Sequence, residues 1–365
     1  MGKSSNNTIS QAVTLGLTFD DVLLEPRESH VSRDDISLET KLTKKINLKI
    51  PILSAAMDTV SEEKMAIALG KLGGMAVIHR NCSIEEQVRI VSVVKSHKVL
   101  VGAAVGAGDL ERAKALDQAG ADAIFVDTAH AHNIRTIEGA KEIKKHIKAE
   151  LIVGNVATKE AALALVKFAD GIKVGIGPGS ICTTRVVAGI GVPQLTAVMN
   201  VYQVAKEHGI PVIADGGIKY SGDAVKALAG GASSIMIGSM LAGTYESPGK
   251  VIKINGEKFK SYRGMGSLAV MKGNQSSDRY FQKNSKNYVP EGVEAAVAYK
   301  GSASEIIEQI TGGIKSGMGY IGASSINEMP KRARFIQITN AGLAESHPHS
   351  ILITKKAPNY SNLHK

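Results

Sequence analysis

The 365-residue sequence predicts an α/β fold, a (β/α)8 TIM barrel with a long segment after its eighth strand. Eight short runs of nearly continuous apolar residues recur along the chain, as strands buried on both faces of a parallel sheet require. Helical patterns separate these runs, mostly at a spacing of about two dozen residues. The GxGxxG that an open dinucleotide-binding sheet shows after an early strand is not found there. A closed barrel therefore fits better than an open sheet.

The predicted strands are PILSAAMD from Pro51, MAVIHRN from Met75, VLVGAAVG from Val99, AIFVDTAH from Ala123, LIVGNVAT from Leu151, GIKVGIGPG from Gly171, PVIADGGI from Pro211 and SIMIGSM from Ser234. Ser83 and Glu86 form a capping-box pattern before the amphipathic run IEEQVRIVSVVK, and Thr158 opens KEAALALVKFA. A last helical pattern, SEIIEQITGGIKSGMGYIG, follows the long segment after the eighth strand. Such long segments in a compact domain are usually functional or disordered.

Composition favours a globular protein in a reducing, cytosolic setting. The chain has 44% hydrophobic and 21% charged residues, and no apolar stretch approaches the roughly 18 residues of a membrane span. The amino terminus, MGKSSNNTISQAVT, lacks an apolar signal core, and two cysteines cannot form a disulfide framework. The net charge of +10 favours anionic ligands, but dispersed basic residues and 4% aromatics disfavour nucleic acid as the primary partner.

A glycine-rich loop after the sixth predicted strand carries one of the two cysteines. The stretch KVGIGPGSICTTR, from Lys173, places Cys182 at the expected C-terminal mouth of the barrel, where active sites of this fold lie. The glycines let a ligand approach the backbone closely. By position alone, Cys182 is equally a nucleophile or a small buried hydrophobic residue. Cys82, in HRNCSIEE before a helix, has no such loop and is interpreted as structural.

The ends of strands seven and eight, ADGG and MIGS, predict a phosphate site. In barrels of this kind, the loops after these strands often bind phosphate through backbone N–H groups. Gly217, Gly238 and Ser239 stand at the two ends, which favours a phosphorylated ligand over ordinary turns. Asp215 is a candidate acceptor for a ribose diol, the alternative being a turn or cap.

Polar residues also end strands four and five. Asp127 and Asn155 are candidates for binding a second polar ligand at the same face of the barrel. His130 and His132 invite a metal interpretation, but two histidines at i, i+2 without a third nearby ligand are poor evidence for a metal site. The sequence therefore does not predict a metal hydrolase.

Several long motifs occur together in a fixed order: IGPGSICTTR, ADGGI, MIGSMLAGTYESPG, YRGMGS, DRYF, VPEG and AGLAESHPH. In this order they closely resemble the inosine 5′-monophosphate (IMP) dehydrogenase family, in its bacterial-type branch. The resemblance runs from TFDDVLLEP at Thr18 to ESHPH at His349, nearly the whole chain.

The resemblance implies a two-step reaction of inosine monophosphate with NAD, in guanine nucleotide biosynthesis. Cys182, as a thiolate, attacks C2 of the purine, and hydride passes from that carbon to NAD. Water then hydrolyses the covalent thioimidate to xanthosine monophosphate. Residues 243–303 contain the family's mobile flap, in which Arg279 activates water, assisted by Tyr280 and by Thr184 from the cysteine loop. Without the resemblance, Arg279 would be a phosphate clamp, since the free guanidinium pKa is so high.

Further roles transfer by resemblance, residue by residue. The substrate's phosphate and ribose positions match Ser180, Asp215, Gly217, Gly238, Ser239 and Tyr262. The purine-contacting positions match Gly264, Met265, Gly266 and Glu291. The dinucleotide positions match Asp127, Thr128, Ala129 and Asn155.

The resemblance also implies a monovalent cation and an assembly. In the family, carbonyls matching Gly175, Gly177 and Cys182 coordinate an ion such as K⁺, and a neighbouring subunit completes the set with residues matching Glu345, Ser346 and His347. Because the site then spans two subunits, a homotetramer is implied.

Two departures from the family pattern stand out. Strand four ends DTAHAHN where the family commonly shows a DSAHGHS-like run, which changes Thr128, Ala131 and Asn133 on the NAD side. In addition, KSHKVLVGAAVG runs directly into strand three, whereas most members carry a tandem CBS regulatory module there, near residues 95–99. We therefore expect a flexible segment 1–17 and a single catalytic barrel 18–365, with no nucleotide regulation through that module.

Two alternative functions remain at this point. Guanosine monophosphate reductase, a related NADPH-dependent barrel, shares the cysteine loop but lacks the RYF flap and has a YGMSS-like segment in place of YRGMGS. A non-catalytic nucleotide or nucleic-acid binding barrel is compatible with the charge, but it has no need of Cys182, Thr184, Arg279 and Tyr280 together.

Overall fold

Eight parallel strands close into a barrel, as the sequence predicts. The structure is a computed structural model that describes residues 13–272, 277–280, 282, 287–355 and 357–360. In chain order its strands are β1 (Val22–Leu24), β2 (Thr40–Lys41), β3 (Asn47–Leu48), β4 (Ile52–Ser54), β5 (Met75–Ile78), β6 (Val101–Val105), β7 (Ala123–Asp127), β8 (Glu150–Val156), β9 (Gly171–Val174), β10 (Val212–Asp215), β11 (Ser234–Ile237), β12 (Val251–Ile254), β13 (Glu257–Arg263), β14 (Glu294–Ala298) and β15 (Phe335–Gln337). Strands β4 to β11 form the barrel, and β11 pairs with β4 to close it.

The helices follow the strands in the alternation that the sequence predicts. They are α1 (Glu63–Lys71), α2 (Ile84–Ser96), α3 (Leu110–Gln118), α4 (Ile134–His146), α5 (Lys159–Leu165), α6 (Thr184–Val187), α7 (Gln194–Ala205), α8 (Ser221–Ala229), α9 (Ser239–Ala242), α10 (Leu268–Lys272), α11 (Ala303–Ile321), α12 (Met329–Arg332) and α13 (Asn340–Glu345). Thr158 caps α5 by accepting a hydrogen bond from Ala161 N–H at 3.2 Å. At α2, Ser83 caps the Glu86 N–H as predicted, but the Glu86 carboxylate pairs with Arg89.

Two apolar layers stabilise the barrel. One lies between the strands and the surrounding helices, and the other fills the barrel interior with side chains such as Leu53, Phe125 and Ile213. The hairpin of β2 and β3 adds Leu42 and Leu48 to the interior layer, and both are fully buried. The barrel is therefore a packed core rather than a pore, which leaves its C-terminal mouth for ligands.

The small sheets outside the barrel were not predicted from the sequence. After β11, strands β12, β13 and β14 form a separate antiparallel sheet, and β1 pairs with β15 near the two ends of the chain. The small sheet lies within the predicted flap, 243–303, of which residues 273–276, 281 and 283–286 lie outside the described residues. In the predicted flexible segment, residues 1–12 also lie outside them, whereas the Leu17 N–H donates to Thr196 Oγ1 at 2.8 Å.

The junction between α2 and β6 is short. Helix α2 ends at Ser96 and β6 begins at Val101, so only residues 97–100 connect them. Within the described part of the chain, no helix has the length and apolarity needed to cross a bilayer.

Candidate active site

Two adjoining cavities open at the C-terminal mouth of the barrel. One contains Cys182 and extends towards β7 and β8, and the other lies at the ends of β10 and β11. They share the lining residues Pro178, Gly179, Gly216, Met236, Gly238 and Tyr262. Because they share these walls, the two cavities are parts of one cleft. The part that contains Cys182 is called the cysteine cavity, and the part at the ends of β10 and β11 is called the phosphate-side cavity, after the phosphate site predicted there.

Cys182 is at the start of a chain of polar contacts. Its Sγ lies 3.2 Å from Thr184 Oγ1, and Thr184 Oγ1 donates to Glu291 Oε2 at 2.7 Å. The thiol therefore donates to Thr184 Oγ1, because the single proton of that hydroxyl goes to Glu291. The resemblance matched Glu291 to a purine-contacting position; in the structure it lines the cleft and accepts from the Thr184 hydroxyl.

The backbone holds the cysteine loop in place. The Thr183 N–H donates to the Glu291 carbonyl, and the Val293 N–H donates to the Ile181 carbonyl, both at 3.0 Å. Arg185, which the sequence analysis did not single out, donates to the Val192 carbonyl at 2.6 Å and to the Ile176 carbonyl at 3.3 Å. The loop thus has partners on both sides, which orients the thiol into the cleft.

Cys82 has a different environment. It lies between β5 and α2, and burial raises the pKa of its thiol to about 11. Its Sγ lies 3.8 Å from the His79 carbonyl. A thiol with a raised pKa is a poor nucleophile near neutral pH, which agrees with the structural interpretation.

The phosphate-side cavity brings together five of the predicted substrate residues: Ser180, Gly217, Gly238, Ser239 and Tyr262. Ser239 begins α9, and Gly238 precedes it. The Tyr262 hydroxyl occupies the space that a Cβ on Gly238 would need, at 2.9 Å. Burial raises the pKa of Tyr262 to about 12, so its hydroxyl remains a neutral donor.

The cysteine cavity contains the predicted purine and dinucleotide residues. Gly264, Met265 and Gly266 line it from one side, and Asp127, Thr128, Ala129 and Asn155 line it from the other. A Cβ on Gly266 would lie 2.6 Å from the Tyr280 ring, so Gly266 leaves the space in which Tyr280 packs.

A buried lysine connects the two ligand sides. Lys173 Nζ donates to Asp127 Oδ1 at 2.9 Å and to Asp215 Oδ2 at 2.6 Å, and it also contacts the Asn155 amide oxygen. Only 3% of the Lys173 side chain is exposed. Lys173 therefore holds one carboxylate oxygen of each aspartate in place at the mouth of the barrel. Asp215 is therefore part of a charged network rather than a turn or cap.

Arg279 and Tyr280 lie in the same cleft as Cys182. The Arg279 guanidinium pairs with Asp127 Oδ2, the oxygen that Lys173 leaves free, and the Arg279 carbonyl accepts from the Ala129 N–H at 3.2 Å. Burial lowers the pKa of Arg279 and the nearby Arg80 adds to this effect, whereas Tyr280 opposes it. The pKa of Tyr280 is raised, mainly by burial. The contact with Asp127 also places Arg279 in the cysteine cavity, away from the ends of β10 and β11 where the phosphate site was predicted.

The predicted cation ligands fall into two separated groups. Gly175, Gly177 and Cys182 line the cysteine cavity, with φ angles of 149° and 79° at the two glycines. The Gly175 carbonyl accepts from Asn155 Nδ2 at 2.7 Å. Glu345, Ser346 and His347, at the end of α13, are not among the lining residues of either cavity, and the His347 ring contacts Tyr220 and Tyr360. Within one chain the two groups are not brought together.

The described residues do not form a His, Cys, Asp or Glu metal cluster. His130 and His132 have ring centroids 6.2 Å apart, and over the described ranges no group of three or more His, Cys, Asp or Glu side chains is arranged to hold an ion.

A family model described as IMP dehydrogenase / GMP reductase domain matches residues 16–349. The chain belongs to this family. Among curated relatives, an inosine-5′-monophosphate dehydrogenase of Cryptosporidium parvum is 47% identical over 392 aligned residues, covering 95% of this chain and 98% of the relative. Enzymes of the same name from Methanocaldococcus jannaschii and Streptococcus pyogenes are 43% and 42% identical, covering 94% and 95% of this chain and 97% of each relative.

The alignments with the two prokaryotic enzymes of the family are longer than this chain. They span 480 and 481 aligned residues against the chain's 365. The extra length agrees with the absence of a CBS module from this chain.

Sequence reasoning missed three charged residues of the site. Lys173 opens the cysteine loop motif, but a lysine at the end of an apolar strand does not indicate which residues it pairs with. Arg80 and Asp278, which contact each other at 2.9 Å, are separated by 198 residues along the chain. The signal that could have found Lys173 is a single charge within an otherwise apolar barrel strand, since such a charge must be paired when buried.

Proposed function

We propose that this chain oxidises inosine monophosphate to xanthosine monophosphate with NAD, in guanine nucleotide biosynthesis, through a covalent intermediate on Cys182. The observation that carries the proposal is the position of Arg279 and Tyr280 in the same cleft as Cys182. A hydrolytic second step needs both a nucleophile and a group that activates water. The names of the curated relatives support the same reaction.

In the first step, the Cys182 sulfur forms a bond to C2 of the purine, and the hydrogen on C2 leaves with its electron pair. NAD, when bound, supplies the acceptor for this hydride. The product is a thioimidate in which C2 is oxidised. Before attack, the Cys182 thiol donates to Thr184 Oγ1, which donates its own proton to Glu291 Oε2, so these contacts orient the sulfur that becomes the thiolate. Ser180, Gly217, Gly238, Ser239 and Tyr262 would hold the phosphate, so that C2 lies near the sulfur.

In the second step, water adds to C2 and the C2–S bond breaks, which returns the electron pair to the Cys182 sulfur. Arg279 accepts the proton from water and later releases it to solvent. Burial lowers the pKa of Arg279, towards the neutral form that a base requires, whereas the Tyr280 beside it and the ion pair with Asp127 favour the charged form. The contact of Arg279 with Asp127 supports a sequential order of the two steps, because a dinucleotide that used Asp127 Oδ2 would displace Arg279.

The dinucleotide side fits NAD in its donor and acceptor chemistry. Asp127 offers a carboxylate for a diol, and Asn155 offers an amide, and Lys173 orients both groups. The changes at Thr128, Ala131 and Asn133 leave Asp127 in place at the end of β7.

A monovalent cation such as K⁺ fits the cysteine loop. Gly175, Gly177 and Cys182 would hold it through neutral backbone carbonyls, with Glu345, Ser346 and His347 of the partner subunit completing the set. The cation would stabilise the loop that presents Cys182. We infer that the working form is a cytoplasmic homotetramer, because one chain does not bring the two groups together.

The test is absorbance at 340 nm with inosine monophosphate, NAD and KCl, with a parallel assay of guanosine monophosphate and NADPH. We expect NADH to form only when inosine monophosphate and NAD are both present, and to form more slowly when Na⁺ or Li⁺ replaces K⁺. Consumption of NADPH with release of ammonia from guanosine monophosphate would instead identify a reductase. Silence in both assays from a tetrameric, folded protein would contradict the proposed oxidation.

A further inference from the structure

The turn that carries Arg279 has a partner outside the residues considered so far. Asp278 accepts two hydrogen bonds from Arg80 Nη1, at 2.9 Å and 3.0 Å. Arg80 follows β5, and its side chain is 7% exposed, against 37% for Asp278. We propose that Arg80 and Asp278 are positioning residues that hold Arg279 on the dinucleotide side of the cleft. This inference rests on the proposed function for its effect on turnover.

The space around this ion pair is also restricted. Gly106 follows β6, and a Cβ at that position would lie 2.7 Å from Asp278 Oδ2 and 3.1 Å from Arg80 Nη1. The ion pair therefore occupies the volume that any larger residue at Gly106 would need. Asp278 thus lies between the loops after two neighbouring barrel strands. Arg80, after β5, supplies the opposite charge, and Gly106, after β6, leaves room because it has no side chain.

The contact acts on Arg279 through geometry. Asp278 and Arg279 are adjacent in one short 3-10 turn, Ser277–Tyr280, so fixing Asp278 limits where the Arg279 side chain can reach. Arg279 then meets Asp127 and Ala129, at the end of β7 and in the loop that follows. Contacts with the loop after β5 and with the end of β7 and its following loop thus hold the turn, and the Arg80 pair is the one that does not touch the expected ligands.

The consequence concerns competition for the dinucleotide side. Because Arg279 uses Asp127 and Ala129, a bound dinucleotide must displace the turn. Strengthening the contacts that hold the turn in the cleft favours hydrolysis of the adduct, and weakening these contacts favours binding of the dinucleotide. The Arg80–Asp278 pair therefore influences the second step while leaving the first step, in which Arg279 has no part, unchanged.

The kinetic test compares Arg80→Leu, Asp278→Asn and the double variant with the parent enzyme. Asp278→Asn keeps the shape of the side chain, so it tests the ion pair even if Arg80→Leu folds poorly. We expect the rate of the first burst of NADH to change less than about twofold, whereas steady-state turnover falls about tenfold, as loss of a charged hydrogen bond predicts. Inhibition by excess NAD should strengthen by a similar factor.

The double variant and a matched control sharpen the result. If the two residues act as a pair, the double variant loses no more turnover than either single variant. Arg89→Leu removes another arginine with acidic partners, Glu63 and Glu86, on the outer surface, and it should leave both phases unchanged. Gly106→Ala should reproduce the loss because its Cβ intrudes on the pair. Equal loss in the burst and in steady-state turnover, additive losses in the double variant, or no loss at all would overturn the proposal.

A second readout does not depend on activity. Trypsin cleaves after arginine, and Arg279 is protected while the turn is seated in the cleft. We expect cleavage after Arg279, identified by mass, to be about tenfold faster in Asp278→Asn than in the parent or in Arg89→Leu. If the parent did not oxidise inosine monophosphate, the proposed function would fail, but this measurement would still decide the role of the pair. Equal cleavage rates in all of these proteins would overturn it.

Discussion

The two halves of the cleft are lined by different kinds of chemical group. The phosphate-side cavity uses backbone, small residues and hydroxyl groups at the ends of β10 and β11. The dinucleotide side is instead a charged network, in which Lys173 and Arg279 both contact Asp127. A binding site formed by backbone groups can bind one anionic group without changing its conformation. A carboxylate with two cationic partners can exchange one of them for a ligand, which suits a site that works in two successive steps.

Removing Arg279 should have the largest effect on the charged half of the cleft, because Asp127 then loses the cationic partner that it exchanges for a ligand. For Arg279→Ala we expect steady-state turnover to fall by about 10²-fold to 10⁴-fold, the range for loss of a general base, while the NADH burst remains. Stopped-flow absorbance at 340 nm separates the two phases. Equal loss in both phases would show that Arg279 acts before hydrolysis.

Removing Lys173 should disturb both ligand sides together. In Lys173→Met, Asp127 and Asp215 lose the cation between them, so we expect the KM values for inosine monophosphate and for NAD each to rise by about tenfold or more. The melting temperature should also fall, because the buried Asp127 and the partly buried Asp215 each lose a charged hydrogen-bond donor. Lys144→Met, which removes an ion pair with Asp170 on the outer surface, is the matched control and should change neither KM. A rise in only one KM would show that the two sides are independent.

The pH dependence should differ between the two steps. Burial lowers the pKa of Arg279, so its neutral form is reached at a lower pH than for a free arginine. Because the base works in its neutral form, steady-state turnover should rise with pH as Arg279 loses its proton. This rise should be absent in Arg279→Ala. Burst and steady-state rates measured between pH 7 and about pH 10 test this, and a turnover that falls over that interval in the parent would contradict the role of Arg279.

The smallest effect should come from the phosphate side, because several groups share the ligand there. For Ser239→Ala we expect the KM for inosine monophosphate to rise by less than about tenfold, the loss of one hydrogen bond, with an unchanged KM for NAD. Ser96→Ala, at the end of α2, is the control. An equal rise in both KM values would mean that the two halves are not separate in function.

The same contrast explains what the sequence could predict. The eight barrel strands were found because strands buried on both faces must be continuously apolar, and the phosphate site was predicted because glycines follow two of them. The small sheet β12 to β14 was missed, since β12 is exposed along its length and carries no such pattern. Lys173 and its carboxylates were not connected, because Asp127 and Asp215 lie 46 and 42 residues away along the chain and meet only when the barrel closes.

The role of Arg279 could not be read from its own sequence position. Local pattern alone suggested a phosphate clamp, and only the resemblance suggested a base. Its contact with Asp127 and its burial depend on how the segment after β11 folds back over the mouth of the barrel. No local rule predicts such a long-range contact.

The most direct test of the account is to find the covalent intermediate and the residue that carries it. Arg279→Ala should accumulate the adduct, so the variant is mixed with inosine monophosphate and NAD, quenched with acid and digested for mass spectrometry. The account predicts a purine nucleotide on the peptide that contains Cys182, an unmodified Cys82 peptide, and no adduct in the Cys182→Ala, Arg279→Ala double variant. NADH formed in the burst without any adduct on Cys182 would contradict it.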